Sequence, residues 1–354
     1  MIAEAEKLAD AKVQVRPYQD AMQSAWDNYV RQHPAGTLFH LTGWKRVIEK
    51  SFGFQPRYLA VEDETGIRGI LPLFLVSNRV QGRTLLSTPF AVYGGICAND
   101  DVAFSALQEA ACQMARDENV EYLELRERQD YGDPAFHSKD LYVSFDQALP
   151  DSPDALMKGF PRDTRYMIRK AQKEGLRSTV ESGQLEKFHD IYAFSVRNLG
   201  TPVFSLKYFR NLVEEFGDDC ELTMIWKGEQ AIAGVMSFRF RDWIVPYYSG
   251  SLPEGRRYAA NNFMYWEVMT RAMQNGLRNF DFGRSKLGTG AYAFKTQWNM
   301  QQHPLPYQYY LVRRKDMPNF SPANPRFQMA INVWKHIPLS VTKVLGPSLV
   351  RLFP

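Results

Sequence analysis

Lys295 and the pair Tyr247-Tyr248 are the side chains in this 354-residue sequence whose types best suit a group-transfer reaction. A lysine ammonium can hold an acidic group or stabilise the charge of a tetrahedral intermediate. Tyrosine hydroxyls can donate to a developing oxyanion. All three lie within Trp243–Trp298, which reads as strand, basic turn, long amphipathic helix, strand, Gly-rich turn and short helix. Pro253, Gly255, Arg256 and Arg257 make the turn, and Gly276 ends the long helix. Asn279-Phe280-Asp281-Phe282-Gly283 is the second strand, and Phe294 precedes Lys295 on the short helix. A basic turn meeting a helix start is an anion-binding layout. Each residue also has a plainer reading. The tyrosines suit an ordinary strand, Asp281 a structural strand end, and Lys295 a solvated surface.

A second constellation lies earlier. Lys158 to Arg177 holds seven basic and two acidic residues, a local net of +5 against +4 for the whole chain. Arg165, Arg169 and Lys173 are spaced i, i+4, i+8, and Arg162 lies within one turn of them, so they form one stripe. With Lys170 beside them, the stripe suits phosphates or a polyanion. The plain alternative is a solvated helix face.

Several classes of chemistry lack their motifs. There is no HExxH, Walker loop, first-strand GxGxxG or Gly-x-Ser-x-Gly. His33, His40, His137, His189, His303 and His336 are dispersed, so no metal enzyme is expected. Cys97, Cys112 and Cys220 are odd in number and scattered, which fits a reducing compartment. Met1–Asp10 does not read as a signal peptide, and no run of about 18 apolar residues occurs. The expected location is the cytoplasm.

The elements that must position these residues follow in two similar runs. The first has a strand at 13–17, helices at 20–32 and 42–51, and strands at 58–62, 67–77, 84–87 and 92–97. A helix at 100–118 and strands at 122–126 and 141–145 complete it. After the linker Pro150-Asp151-Ser152-Pro153 come the basic helix at 161–174, a strand at 176–181, and helices at 184–198 and 206–216. Strands at 222–227, 231–241 and 243–251 lead into the stretch above, and a last strand covers 305–312. The expected class is α/β (α+β): mixed, mostly antiparallel sheets flanked by helices. Expected domains are 13–150, 151–315 carrying the transfer site, and a helical tail at 316–354. In the tail, Phe327, Ile331, Val333 and Trp334, then Val341, Val344, Leu345, Leu349 and Leu352, recur at helical spacing. They read as helices docking on the body, or as a membrane-surface contact aided by Arg326, Lys335, Lys343 and Arg351.

The order of several short motifs resembles the Fem family of peptidoglycan cross-bridge aminoacyltransferases. They are Asp163-Thr164-Arg165, Ile168-Arg169-Lys170-Ala171, Tyr248-Ser249-Gly250, Phe280-Asp281-Phe282-Gly283 and Phe294-Lys295, with Pro89-Phe90 and Tyr93-Gly94-Gly95 in the first half. The likeness is greatest to FemAB-like proteins that accompany exosortase and PEP-CTERM systems. It covers about 13 to 315. The resemblance implies two tandem domains of the GNAT acyltransferase fold and no resident cofactor. It implies aminoacyl-tRNA as donor and an amine of a cell-wall or exopolysaccharide precursor as acceptor. It places Lys295 at the transfer site and Tyr247 and Tyr248 along the substrate groove; Tyr248 is also the expected second catalytic residue, and Asp281, Phe294 and Arg256 are expected to bind substrate. Arg162, Arg165, Arg169 and Lys170 would face phosphate or RNA backbone. The coenzyme-A cradle of ordinary GNAT enzymes has two glycines where this chain reads Arg256-Arg257-Tyr258-Ala259-Ala260-Asn261. Acyl-CoA is therefore the alternative donor, and a non-catalytic module binding precursor or RNA is the third reading.

Overall fold

The computed structural model describes residues 13–318 and 325–354. Met1–Asp10 and the side chains of Arg326 and Phe327 lie outside the described residues. The chain divides into two compact units: 1–140 with 305–317, and 141–304 with 318–354. This differs from the expected cuts at 150/151 and 315/316. The reason is strand pairing, since two extended segments belong to a different unit from their sequence neighbours.

In the first unit, β1 (Gln14–Pro17), α1 (Gln23–Gln32) and α2 (Thr42–Phe52) precede β2 (Gln55–Pro56), β3 (Leu59–Asp63), β4 (Gly66–Leu71), β5 (Leu73–Asn78) and β6 (Gly82–Ser87). Then come β7 (Cys97–Ala98), α3 (Asp101–Asp117) and β8 (Tyr122–Leu125). One sheet runs β1-β3-β4-β7. The other aligns β2, β5, β6 and β8, with 308–311 antiparallel to β8. The core is aliphatic, with Leu71, Leu85 and Leu123 against Leu107 and Ala111 of α3. The carboxylate of Asp100 caps α3 by accepting from the Ala103 N–H at 2.9 Å.

The strand expected at 92–97 is not formed before Cys97. Side chains hold this backbone in place of a ladder. The Arg126 guanidinium donates to the carbonyls of Thr88 (3.1 Å) and Ala91 (2.9 Å), and the Tyr307 hydroxyl to that of Val92 (2.6 Å). The Ile96 N–H donates to the Glu127 carboxylate at 2.9 Å. Burial pushes the Glu127 carboxyl up to about 8.

The second unit takes the C-terminal part of β9 (His137–Ala148), then α4 (Pro153–Gly159), α5 (Arg162–Lys173) and β10 (Leu176–Val180). Next are α6 (Leu185–Leu199), α7 (Leu206–Phe216), β11 (Cys220–Lys227), β12 (Gln230–Phe240), β13 (Trp243–Ser251), α8 (Pro253–Arg257) and α9 (Ala260–Gln274). β14 (Asn279–Lys286) and α10 (Gly290–Thr296) follow. The sheet order is β10-β11-β12-β13-β14-β9. All neighbours are antiparallel except β13 and β14. The basic turn expected at 253–257 is a short helix, started by Pro253 at its N-terminus.

Helices cover both faces of this sheet. On one face α5 and α9 bury Ile168, Ala171, Phe263 and Met269 against Ile225, Ile232 and Val235. On the other, α6 crosses so close that a Cβ on Gly250 would lie 2.7 Å from the Tyr192 Cα. Glycine is required there by contact with backbone, which cannot give way. The tail forms α11 (Pro325–His336) and α12 (Leu339–Val350), which pack on α6. The Trp334 indole N–H donates to the Thr201 carbonyl at 3.1 Å, while Thr342, Gly346 and Val350 are buried. Among the described residues no helix is long and apolar enough to cross a membrane.

Candidate active site

Two parallel strands part at the centre of the second unit. β13 and β14 are paired only at Trp243↔Asn279 and Ile244↔Phe280. Beyond that, β13 stays with β12 as far as Ser251 and β14 stays with β9 as far as Lys286. Among the described residues no ladder pair joins the two strands past Ile244 and Phe280.

Lys295 closes the β14 side of this opening. Its ammonium donates to three successive carbonyls, those of Phe282 (2.5 Å), Gly283 (3.1 Å) and Arg284 (3.0 Å). Carbonyls alternate in direction along a regular strand, so three in a row cannot meet one cation. A bulge at Asp281/Gly283 breaks the alternation, and Gly283 turns the chain at φ +68°. The Gly283 N–H donates to the Asp281 carboxylate at 2.7 Å, which fixes the bulge. The ammonium also lies 5.1 Å from the Phe282 ring centre and 5.8 Å from that of Phe145. Burial in this aromatic setting pushes the Lys295 pKa down to about 7, against the opposing pull of the Asp281 carboxylate; Arg284 adds to the depression. Thr289 caps α10 by accepting from the Tyr292 N–H at 3.3 Å, so the short helix holds the lysine in place.

Tyr265 on α9 spans the opening. Its hydroxyl donates to Ser249 Oγ of β13 at 3.1 Å, and its ring centre is 4.5 Å from that of Phe282 on β14. Phe294 and Trp298 complete the aromatic wall at 6.0 and 6.3 Å from Tyr265. Sequence reasoning missed Tyr265 and Ser249. Helix α9 is apolar nearly all round, so Tyr265 sits unmarked in the run Phe263-Met264-Tyr265-Trp266. The usable signal was its spacing from the helix start, which puts it on the side facing β13. Replacing Tyr265 by Phe is expected to keep the fold within about 1 kcal/mol, the usual value of one hydrogen bond. It is expected to lower transfer about tenfold, measured as kcat/KM beside thermal unfolding.

Tyr248 does not join this group. It is 7% exposed and its hydroxyl is 2.7 Å from that of Tyr208 on α7. Its ring packs edge-on against Tyr192 and Phe209, on the α6–α7 side of the sheet. Burial holds its hydroxyl far above the ordinary tyrosine range. The catalytic role expected for Tyr248 is therefore corrected to a core role. Adjacent strand residues point to opposite faces, so Ser249 meets Tyr265 while Tyr248 turns away. Tyr247 is the extra residue of a bulge opposite Met236/Ser237, 4.8 Å ring to ring from Tyr248, and it too is drawn into this aromatic cluster. Tyr248→Phe should cost about 1 kcal/mol in chemical denaturation and leave transfer unchanged.

Asp281 is 8% exposed beside the lysine cradle, and Phe294 is in the aromatic wall, so both stay near Lys295. Arg256 is exposed on α8, away from that cradle's hydrogen bonds. At the start of α9, Ala259 takes φ +55°, the left-handed conformation that favours glycine. The turn thus keeps a glycine-type backbone at an alanine, at about 1–2 kcal/mol.

The basic stripe is real and open. Thr164, Ile168 and Ala171 are buried, while Arg162, Arg169 and Lys173 are exposed. Among the described residues Arg162, Arg169, Lys170 and Lys173 make no ion pair, and the nearby acid Glu174 is paired with Lys227 at 3.4 Å. The long side chains of Arg162, Arg165, Arg169, Lys170 and Lys173 frame, with Tyr166, a recess of about 600 Å³. α5 is tied to the Lys295 helix. The Thr164 hydroxyl donates to the Gln297 carbonyl, two residues past Lys295, at 2.6 Å.

Residues 159–296 match the family model of the acetyltransferase (GNAT) domain. That range holds the basic helix, the parting strands and Lys295. No curated protein matches the sequence. Among solved structures the chain is similar to FemX, at 15% identity and a TM-score of 0.65 over 90% of this chain and 100% of that one. It is similar to the C-terminal domain of a putative lysylphosphatidylglycerol synthetase from Agrobacterium fabrum, at 12% identity and a TM-score of 0.56 over 84% and 93%. It is also similar to a tandem GNAT protein from the clavulanic acid biosynthesis pathway, at 13% identity and a TM-score of 0.53 over 86% and 100%. The fold is thus GNAT-like, as expected, with mixed sheets flanked by helices. The family match and the fold together support an acyltransferase.

Proposed function

We propose that the chain is an N-acyltransferase of the Fem type. It moves an aminoacyl group from aminoacyl-tRNA to an amine of a cell-wall or exopolysaccharide precursor. The observation that carries this reading is the clamp between two features. An open phosphate-binding face on α5 is fixed by Thr164–Gln297 to the helix that bears Lys295. In this reading a polyanionic donor lies along that face and brings its acyl end to the parted strands.

The chemistry asks for juxtaposition and charge stabilisation. The acceptor nitrogen attacks the ester carbonyl carbon, forming C–N and placing negative charge on the carbonyl oxygen. The bond between that carbon and the ribose oxygen then breaks. The amine proton ends on the departing ribose oxygen. Lys295 supplies positive charge beside the opening, and Ser249 Oγ, with its hydrogen free of the Tyr265 bond, is a donor on the opposite strand. No residue need become acylated.

Acyl-CoA is the second donor reading, and Ala259 favours it, because its φ of +55° is a glycine-type conformation within the segment where the coenzyme-A cradle carries glycines. The tail suits an anionic membrane surface. Val333 and Val344 are 59% and 74% exposed, and residues 318–354 contain four Lys or Arg and no Asp or Glu. Such a contact would place the protein at the cytoplasmic face, where lipid-borne acceptors lie. The deciding experiment is label transfer from pooled charged tRNAs and from acyl-CoAs onto cell-wall and exopolysaccharide precursors. Transfer from charged tRNA supports the first reading, and transfer only from acyl-CoA replaces it. Binding of a precursor or RNA without transfer from either donor leaves a non-catalytic module.

A further inference from the structure

Tyr166 is 65% exposed at the middle of the basic stripe. At 3.6 residues per turn, Arg162, Arg169, Lys170 and Lys173 all fall within about 60° of it around the α5 axis. Of the two acids nearby, Asp163 lies in the first turn and does not line the recess, while Glu174 lines it and is paired with Lys227 at 3.4 Å. An isolated surface aromatic needs no explanation. This one is surrounded by cations that leave its ring alone. Among the described residues Tyr166 has no aromatic or cation–π partner, although Arg177 and Lys187 both lie over Trp226 nearby in the same unit. Among those residues its ring face is free and its hydroxyl makes no hydrogen bond.

Cations alone would recognise any polyanion, duplex or single-stranded. A free aromatic face adds something a duplex cannot use, because paired bases are already stacked. It receives an unstacked base, with a guanidinium one turn away able to cover the other side. We infer that the α5 face is a nucleotide subsite. An unpaired base stacks on Tyr166 while its phosphates lie on Arg162, Arg169 and Lys173. The inference rests on the donor reading above and deepens it, since the donor would be gripped by an unpaired nucleotide and not by duplex backbone. An adenosine carrying phosphates has two sources here, the single-stranded end of tRNA and coenzyme A.

The test uses the intact chain and three probes. These are a short fluorescent single-stranded RNA ending in CCA, the same sequence fully base-paired, and coenzyme A. The wild type should bind the single strand more tightly than the duplex. Tyr166→Ala should weaken the single strand about fivefold to a hundredfold with no change in salt slope, and Tyr166→Phe should keep wild-type affinity. The same Ala and Phe pattern seen only with coenzyme A assigns the subsite to that source. The inference is overturned, and the donor reading survives, if RNA binds but Tyr166→Ala matches the wild type. It is likewise overturned if Phe weakens binding as much as Ala, or if duplex binds as well as single strand. A wild type that binds neither nucleotide overturns both.

Discussion

Lys295→Ala should lower transfer by about two to three orders of magnitude, the usual effect of removing one charge-stabilising group from an acyl-transfer site. It removes the cation at the parted strands and leaves the carbonyls of Phe282, Gly283 and Arg284 without their donor. Lys295→Arg separates the two effects. A planar guanidinium keeps the charge but cannot match three carbonyls converging on a point. Partial activity in Arg and none in Ala shows that charge is what the site uses. Wild-type activity in Lys295→Ala would remove the lysine from the mechanism.

The pH dependence of this site has a definite sign. The lysine is pushed down to about 7 in the folded protein from an ordinary value of 10.5. Between those values the unfolded chain binds a proton that the folded chain does not, so stability rises with pH across that window. Below it both states are protonated, and the cost of burying the charge is complete. Lys295→Met should flatten the rise in unfolding free energy between about pH 7 and 10. If catalysis uses the cation, the wild-type rate also falls on an alkaline limb near pH 7. That limb should vanish in Lys295→Arg, because arginine stays charged.

Arg165→Gln with Arg169→Gln should weaken RNA binding and reduce its salt dependence. Each phosphate contact contributes about 0.7 to the slope of log K against log salt for a single strand and about 0.9 for a duplex. Losing two contacts lowers the slope by about 1.4 to 1.8. The fold should be almost indifferent. Among the described residues Arg169 makes no ion pair, and Arg165 makes only a long contact of 3.4 Å to the Lys158 carbonyl. Thermal unfolding within about 0.5 kcal/mol of wild type is therefore expected. An unchanged slope would return α5 to the status of a solvated face. Tyr166→Ala acts on the same helix by stacking and leaves the slope alone, so the two substitutions report different interactions.

The sequence alone determined the features that rest on local chemistry. A charge stripe at i, i+4, i+8 marks α5 wherever the helix packs, because helical spacing by itself brings those side chains to one side. The Asp-Phe-Gly strand end and the Phe-Lys helix were legible because glycine and charge stand out in apolar surroundings. The order of elements in the second unit followed from the same periodicity. Tertiary structure decided the rest. β13 is covered on both faces, so its pattern carries no inside and outside, and only the packing of α6 and α9 shows that Ser249 faces the site while Tyr248 does not. The lysine cradle depends on a bulge, whose extra residue is defined only against the partner strand β9. The unit boundaries depend on which strand each extended segment pairs with, and that is fixed by partners distant in sequence. Pairing of that kind is a property of the folded sheet, and no local run of residues encodes it.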